Sequence, residues 1–238
     1  MKHLLPLTLA ALIISSTSQA AYIIATDGSL GAGHYTYTGP GGTTASTSTA
    51  SAGNLPATTD SPATFFTLNH VFGGNGTTDE YTFTYTPATD TDNQTFAPGT
   101  VLNSQGTLPD LTATGLAAGT AGLYNIYRLH PANPGVSGGL TTYQVLIGGS
   151  PAGLTQTIDQ NAADFTTGSN TGRWELIGTL PVTDPSSEIT VTMTPENSTY
   201  VSMRASGIMF EFAGPIPEPA TTILLATGLL ALVGRRRR

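Results

Sequence analysis

Tyr81-Thr82-Phe83-Thr84-Tyr85-Thr86 sets a large aromatic against a threonine at every step. Successive side chains of an extended strand point to opposite faces, so this hexad has an aromatic face to bury and a hydroxyl face that water can cover. Both residue types suit a pleated, half-buried surface. Moving outward, the same period of two returns at Tyr143, Val145 and Ile147, at Ile189, Val191 and Met193, and at Ile208, Phe210 and Phe212. Turn-forming clusters at 135–139, 148–153 and 183–187 separate the runs. No sustained 3.6-residue apolar period occurs between Ala21 and Gly214. The pattern predicts an all-β chain folded as an antiparallel, jelly-roll-like β-sandwich.

Composition narrows the chemistry. The 238 residues include no cysteine, which removes thiol nucleophiles, thiolate metal sites and disulfides. Lys2 is the one lysine, so no Schiff-base lysine remains once the N-terminal segment is gone. Between residues 21 and 214 the bases are Arg128, Arg173 and Arg204, against 14 of the 15 Asp and Glu of the chain. Nucleic acid is excluded as a partner, because phosphate neutralisation needs clustered Lys and Arg.

The two ends carry addresses. Lys2 and His3 precede the apolar stretch Leu4 to Ile14, and Ser18-Gln19-Ala20 offers small residues where a signal peptidase reads, so residues 1–20 are expected to be a signal peptide cut after Ala20. At the other end Pro217-Glu218-Pro219 leads into the apolar run 220–234 and then Arg235, Arg236, Arg237 and Arg238. The run is expected to enter the membrane as a helix while the arginines stay on the cytoplasmic side. Its 15 residues span about 22 Å at 1.5 Å per residue, short of a ~30 Å hydrocarbon core, which suits a temporary anchor. The two prolines cannot continue the helix, leaving an extended, protease-accessible peptide before it. Triplet, helix and basic end resemble the PEP-CTERM sorting signal of Gram-negative bacteria that make extracellular polysaccharide. The resemblance implies cleavage near the triplet by exosortase, a membrane-embedded cysteine protease, and release or transfer outward.

The expected layout is therefore a signal peptide at 1–20, an N-terminal extension at 21–63, a sandwich at 64–213 and a sorting segment at 214–238. Residues 43–52 hold seven hydroxyl side chains and no large apolar group, and read as a flexible loop or linker. From Gly122 to Phe212 the chain resembles the golvesin-type β-sandwich found on secreted polysaccharide-lyase-like proteins and similar to galactose-binding jelly rolls. The residues that carry the likeness are 122–127, Pro131, 142–145, 158–160 and 173–179. The chain departs from the family at 203–206, where Met-Arg-Ala-Ser replaces an Ala-Asp pair.

Site candidates are few. Gly135-Val136-Ser137-Gly138-Gly139 fits G-x-S-x-G, but a nucleophile elbow needs a strand before the serine and a helix after it, whereas prolines precede this one and a strand follows. His34, His70 and His130 form no metal-ligand spacing. Asp90 and Asp92 start like a calcium loop without its later Gly and Glu, and are the candidates for a structural calcium; no other cofactor is expected. Asp79-Glu80 and the 184–188 acids cannot supply two facing carboxylates locally, since strand neighbours diverge. Trp174 and Tyr143 are candidate sugar contacts, with core packing favoured for Trp174 because Leu176 shares its face.

These observations predict an exported, non-catalytic protein of the cell surface or extracellular matrix, tied to exopolysaccharide or biofilm through its sandwich, with signal peptidase, exosortase and transient membrane anchoring on its route. The competing reading is a secreted polysaccharide-active hydrolase or lyase, or an accessory carbohydrate-binding module. It requires paired acids in a cleft, or Ser137 bonded to His130 or His70.

Overall fold

The structure is a computed structural model that describes residues 19–39, 46–54, 67–72, 79–96, 119–130, 140–160, 173–196 and 203–216. Among these lie thirteen strands: β1 (Gln19–Ala25), β2 (Tyr35–Thr38), β3 (Ser46–Asn54), β4 (Thr67–Phe72), β5 (Glu80–Tyr85), β6 (Gln94–Phe96), β7 (Gly122–His130), β8 (Leu140–Ile147), β9 (Ser150–Asp159), β10 (Arg173–Val182), β11 (Ile189–Pro195), β12 (Arg204–Ala205) and β13 (Gly207–Gly214). One five-stranded sheet runs β10-β7-β13-β1-β6, a second β2-β5-β11-β8-β9, and a three-stranded sheet β12-β4-β3. Every pairing among them is antiparallel.

The two large sheets form the sandwich. Tyr81, Phe83 and Tyr85 of β5 point inward while Thr82 and Thr84 stay partly exposed, and Ile189, Val191 and Met193 of β11 face the same way. Opposite them stand Tyr22 and Ile24, Tyr124 and Ile126, and Ile208, Phe210 and Phe212 of the first sheet. Aromatic rings bridge the layers: Tyr85 stacks on Tyr22 at 5.1 Å and on Phe210 at 4.7 Å between centroids. Such offset pairs add to the burial of large apolar surfaces. The β8–β9 hairpin turns on Gly148 and Gly149 with φ of 55° and 78°, the two left-handed positions that a tight two-residue turn requires.

The structure corrects the sequence-based layout in two places. Residues 46–54, expected as a loop, form β3 and pair with β4 through two register shifts. A hydroxyl-rich strand needs no core when a neighbour satisfies its backbone, and Thr is a good strand former. The supposed extension 21–63 also supplies β1, which lies between β13 and β6, and β2, which edges the second sheet. The sandwich therefore starts well before residue 64, because Tyr22 to Ala25 is a short apolar run that sequence alone leaves unpaired.

The first sheet is buried on both faces. Behind it, Ala21, Ile23, Ala25, Tyr127, Leu129 and Met209 form a second apolar cluster with Leu30 and Leu176. Burial of both faces explains why β1 and β13 read as nearly continuous apolar runs rather than as alternation.

Candidate functional site

The sorting tail is launched from a central strand. β13 pairs with β1 on one side and β7 on the other, and runs to Gly214. Gly214 has φ 142°, a conformation that side chains other than hydrogen rarely adopt. The neighbouring Gly122 admits no Cβ either, which would meet the Phe212 ring at 2.2 Å and the Gly214 carbonyl at 2.6 Å. The exit is thus tightly packed. From Gly214 to Pro217 is three residues, at most about 10 Å of extended chain, so the triplet hangs close to the sandwich. The chain's other end lies alongside, since Ala21 stands opposite Glu211. β1 begins at Gln19, two residues on the signal-peptide side of the expected cut after Ala20. Residues 217–238, including Pro217, Glu218, Pro219 and the run 220–234, lie outside the described residues. Among the described residues no helix is long and apolar enough to cross a membrane.

Two polar networks sit in the first sheet. On its outer face the buried Glu211 accepts from the Tyr127 hydroxyl at 2.9 Å and from Asn125 Nδ2 at 3.2 Å, both through Oε2; Asn125 Oδ1 in turn accepts from Thr179 at 2.7 Å. Oε1 of Glu211 has no hydrogen-bond partner. Burial raises the Glu211 carboxyl above the usual carboxylate range, against the lowering pull of Asn125 and Tyr127. Burial likewise raises the Tyr127 phenol, reinforced by the Glu211 charge.

On the inner face Arg128 is buried. It pairs with Glu175 directly opposite on β10, donates Nε–H to Gln156 of the second sheet at 2.9 Å, and lies 5.5 Å from the Tyr143 ring centroid. Tyr143 is thus a core residue holding an arginine between the sheets, with burial raising its phenol to about 12. This corrects its candidacy as a sugar contact, since no ring face is open. Arg128→Met should destabilise by about 2 kcal/mol in urea unfolding, by leaving Glu175 and Gln156 without their donor, and adding Glu175→Leu should recover part of the loss. If the single variant were as stable as the parent, the network would not tie the sheets together.

The calcium candidates are engaged otherwise. Asp90 Oδ2 accepts the Thr86 backbone N–H at 2.6 Å and lies 3.6 Å from His34 Nδ1, whose nearer contact is the Thr84 carbonyl at 3.0 Å. No three His, Asp or Glu side chains gather as a metal site among the described residues. Asp92 is pushed up to about 6 by burial. A carboxyl whose folded pKa lies above its unfolded value binds protons more readily in the native state, so stability falls as pH rises from about 4 to 6. Asp92→Asn should flatten that fall and leave Tm at pH 7 equal or higher; a drop in Tm reversed by added calcium would instead mark Asp92 as a ligand.

The remaining candidates divide as follows. Asp79 takes the Tyr37 hydroxyl at 2.7 Å in a buried pair. Asp184 caps its turn through Ser186 N–H at 2.9 Å and Oγ at 2.7 Å, bonds that hold its carboxyl below the usual range. Trp174 occupies β10 opposite Leu129, and His70 and His130 lie in β4 and β7, but their side chains fall outside the described residues, as does the 135–139 motif. Sequence reasoning missed Glu211 and Arg128. The signal available was a charge inside an otherwise apolar strand: Glu between Phe210 and Phe212, Arg between Tyr127 and Leu129.

An acidic, disulfide-free antiparallel sandwich with an extended peptide and an apolar, arginine-ended segment hung from a central strand defines an exported protein whose C-terminus is a sorting device. Comparison with known families bears this out: residues 215–238 match the PEP-CTERM protein-sorting motif. The chain carries that motif and is an exosortase-sorted extracellular protein. No curated protein and no solved structure matches it.

Proposed function

We propose that the mature protein is a non-catalytic component of the cell surface or extracellular matrix, freed from the membrane by exosortase and associated with extracellular polysaccharide through its sandwich. The observation that carries this reading is the placement of the tail: the sorting motif begins at residue 215, one residue beyond the strand β13. The first mature residue and the processed end then lie side by side at one end of the first sheet, leaving the rest of the sandwich to face outward. The golvesin-type resemblance of 122–212 supports a binding module, and the polar outer edge strand β9, with its alternating exposed side chains, gives a glycan hydroxyls to meet.

The mature protein should co-sediment with exopolysaccharide purified from its own host, and the bound fraction should fall when β9 is altered at Gln156-independent, exposed positions such as Thr155→Ala with Thr157→Ala. Absence of binding to any host polysaccharide would remove the carbohydrate part of the proposal. Release of reducing sugar or unsaturated product during the incubation would replace it with the enzyme reading.

A further inference from the structure

We propose that Glu211 is the buried acceptor for the α-ammonium group created when the chain is cut after Ala20, so that signal-peptide removal completes the hydrogen bonding of the outer face of the first sheet. The inference rests on the processing reading above, in particular on Ala21 as the first mature residue.

Ala21 and Glu211 are direct cross-strand partners. The Ala21 carbonyl accepts from the Asn93 N–H at 3.1 Å, on the β6 side, so the peptide groups of Ala21 face β6 and the pair with Glu211 is the narrow, non-bonded kind. In such a pair the Cβ atoms lie about 4.5–5.5 Å apart, within the reach of a glutamate side chain. Both residues are buried, Ala21 at 0% and Glu211 at 1% exposure. With Gln19 and Ala20 attached, the Ala21 nitrogen is an amide and can carry no charge. In that state Glu211 Oε1 has no partner. An unpaired carboxylate oxygen in a dry site is costly, and native structures seldom leave one.

The surroundings hold no other cation for it. Around Glu211 stand Asn125 and Tyr127 of β7, Thr179 of β10 behind Asn125, Met209 on its own strand, and Ala21 of β1 with Gln94 of β6 at the next register position. Among the described residues on this face none is positively charged. Cleavage hydrolyses the Ala20–Ala21 peptide bond, water supplying the hydroxyl to Ala20 and a proton to the departing amine, which ionises at neutral pH. The new terminus is then fixed for pairing rather than free to fray: Asn93 bonds both peptide groups of Ile23, accepting from its N–H and donating to its carbonyl at 2.8 Å each.

Composition makes the test unusually clean. With Lys2 removed, the α-amine of Ala21 is the only primary amine in the mature chain. The protein recovered after export from its host is first weighed intact to read its N-terminus, then labelled at Ala21 by reductive methylation with ¹³C-formaldehyde, which keeps the charge, and titrated by NMR. The expected result is a pKa at least about one unit above the ordinary ~7.7–8.0 of an α-amine, returning to that range in urea. Acetic anhydride labelling at pH 8 should be slowed about tenfold in the folded protein relative to the urea-unfolded one, since one pKa unit is a tenfold change in free amine. Glu211→Gln should restore ordinary reactivity. A first residue other than Ala21 would overturn the processing reading and the ion pair together. A chain that begins at Ala21 but whose wild-type α-amine titrates at or below the ordinary range would overturn the ion pair alone, whether or not the Glu211→Gln protein folds.

Discussion

Phe210→Ala should cost the sandwich about 3–5 kcal/mol, a large share of the ~5–15 kcal/mol that holds a typical domain together. The residue is 1% exposed on β13, with Ile126 opposite it on β7 and Tyr22 on β1, and its ring stacks on Tyr85 from the facing sheet. Truncation removes the ring from both layers at once and leaves a cavity that two flanking strands cannot collapse without breaking their own ladders. Urea unfolding followed by far-ultraviolet circular dichroism measures the effect. A Phe210→Ala protein within about 1 kcal/mol of the parent would place Phe210 outside the core and undo the pairing of the two sheets.

The second large effect concerns the tail. Replacing Pro217, Glu218 and Pro219 together by alanine removes both helix breaks and the one charge of the triplet, so the apolar helix can extend toward Gly214 and the protease loses its extended peptide. Because only about 10 Å of chain separates Gly214 from the triplet, no alternative stretch is available to serve as the cleavage site. The variant should stay in the membrane fraction, with the extracellular protein reduced at least about tenfold, which at RT ln 10 corresponds to about 1.4 kcal/mol of lost transition-state binding or more. The sandwich itself should be unaffected, as the triplet lies beyond the last strand. A variant trimmed and released like the parent would mean the triplet does not direct processing.

Much of this architecture is legible in the sequence, and the reasons are local. β5, β8 and β11 alternate because each has one face in the core and one partly exposed, and period two reveals exactly that situation. Where both faces are buried the signal fails. β13 shows inward Ile208, Phe210 and Phe212 to a period-two reading, yet Met209 and Glu211 between them are as buried as they are. β1 was left outside the domain for the same reason, its run being too short to declare a partner that lies nearly 190 residues away in the chain. β3 is hidden because its composition resembles a linker and its pairing with β4 depends on backbone groups that carry no sequence signature. Of the candidate site, the tail is readable since its parts are contiguous and each has its own physical reason. Arg128 with Gln156, or Glu211 with Tyr127, are brought together only by strand order, so no spacing along the chain announces them.

The reading of this chain as an exosortase-sorted extracellular sandwich is tested most directly by the intact mass of the protein found outside its host cells, compared between the wild-type host and one lacking exosortase. The mass from the wild-type host should correspond to a chain that ends at or before the triplet Pro217 to Pro219, without the run 220–234 and Arg235 to Arg238, and the exosortase-deficient host should hold the protein in its membranes with that tail still attached. An extracellular protein that retains Arg238, or one trimmed and released equally in both hosts, would contradict it.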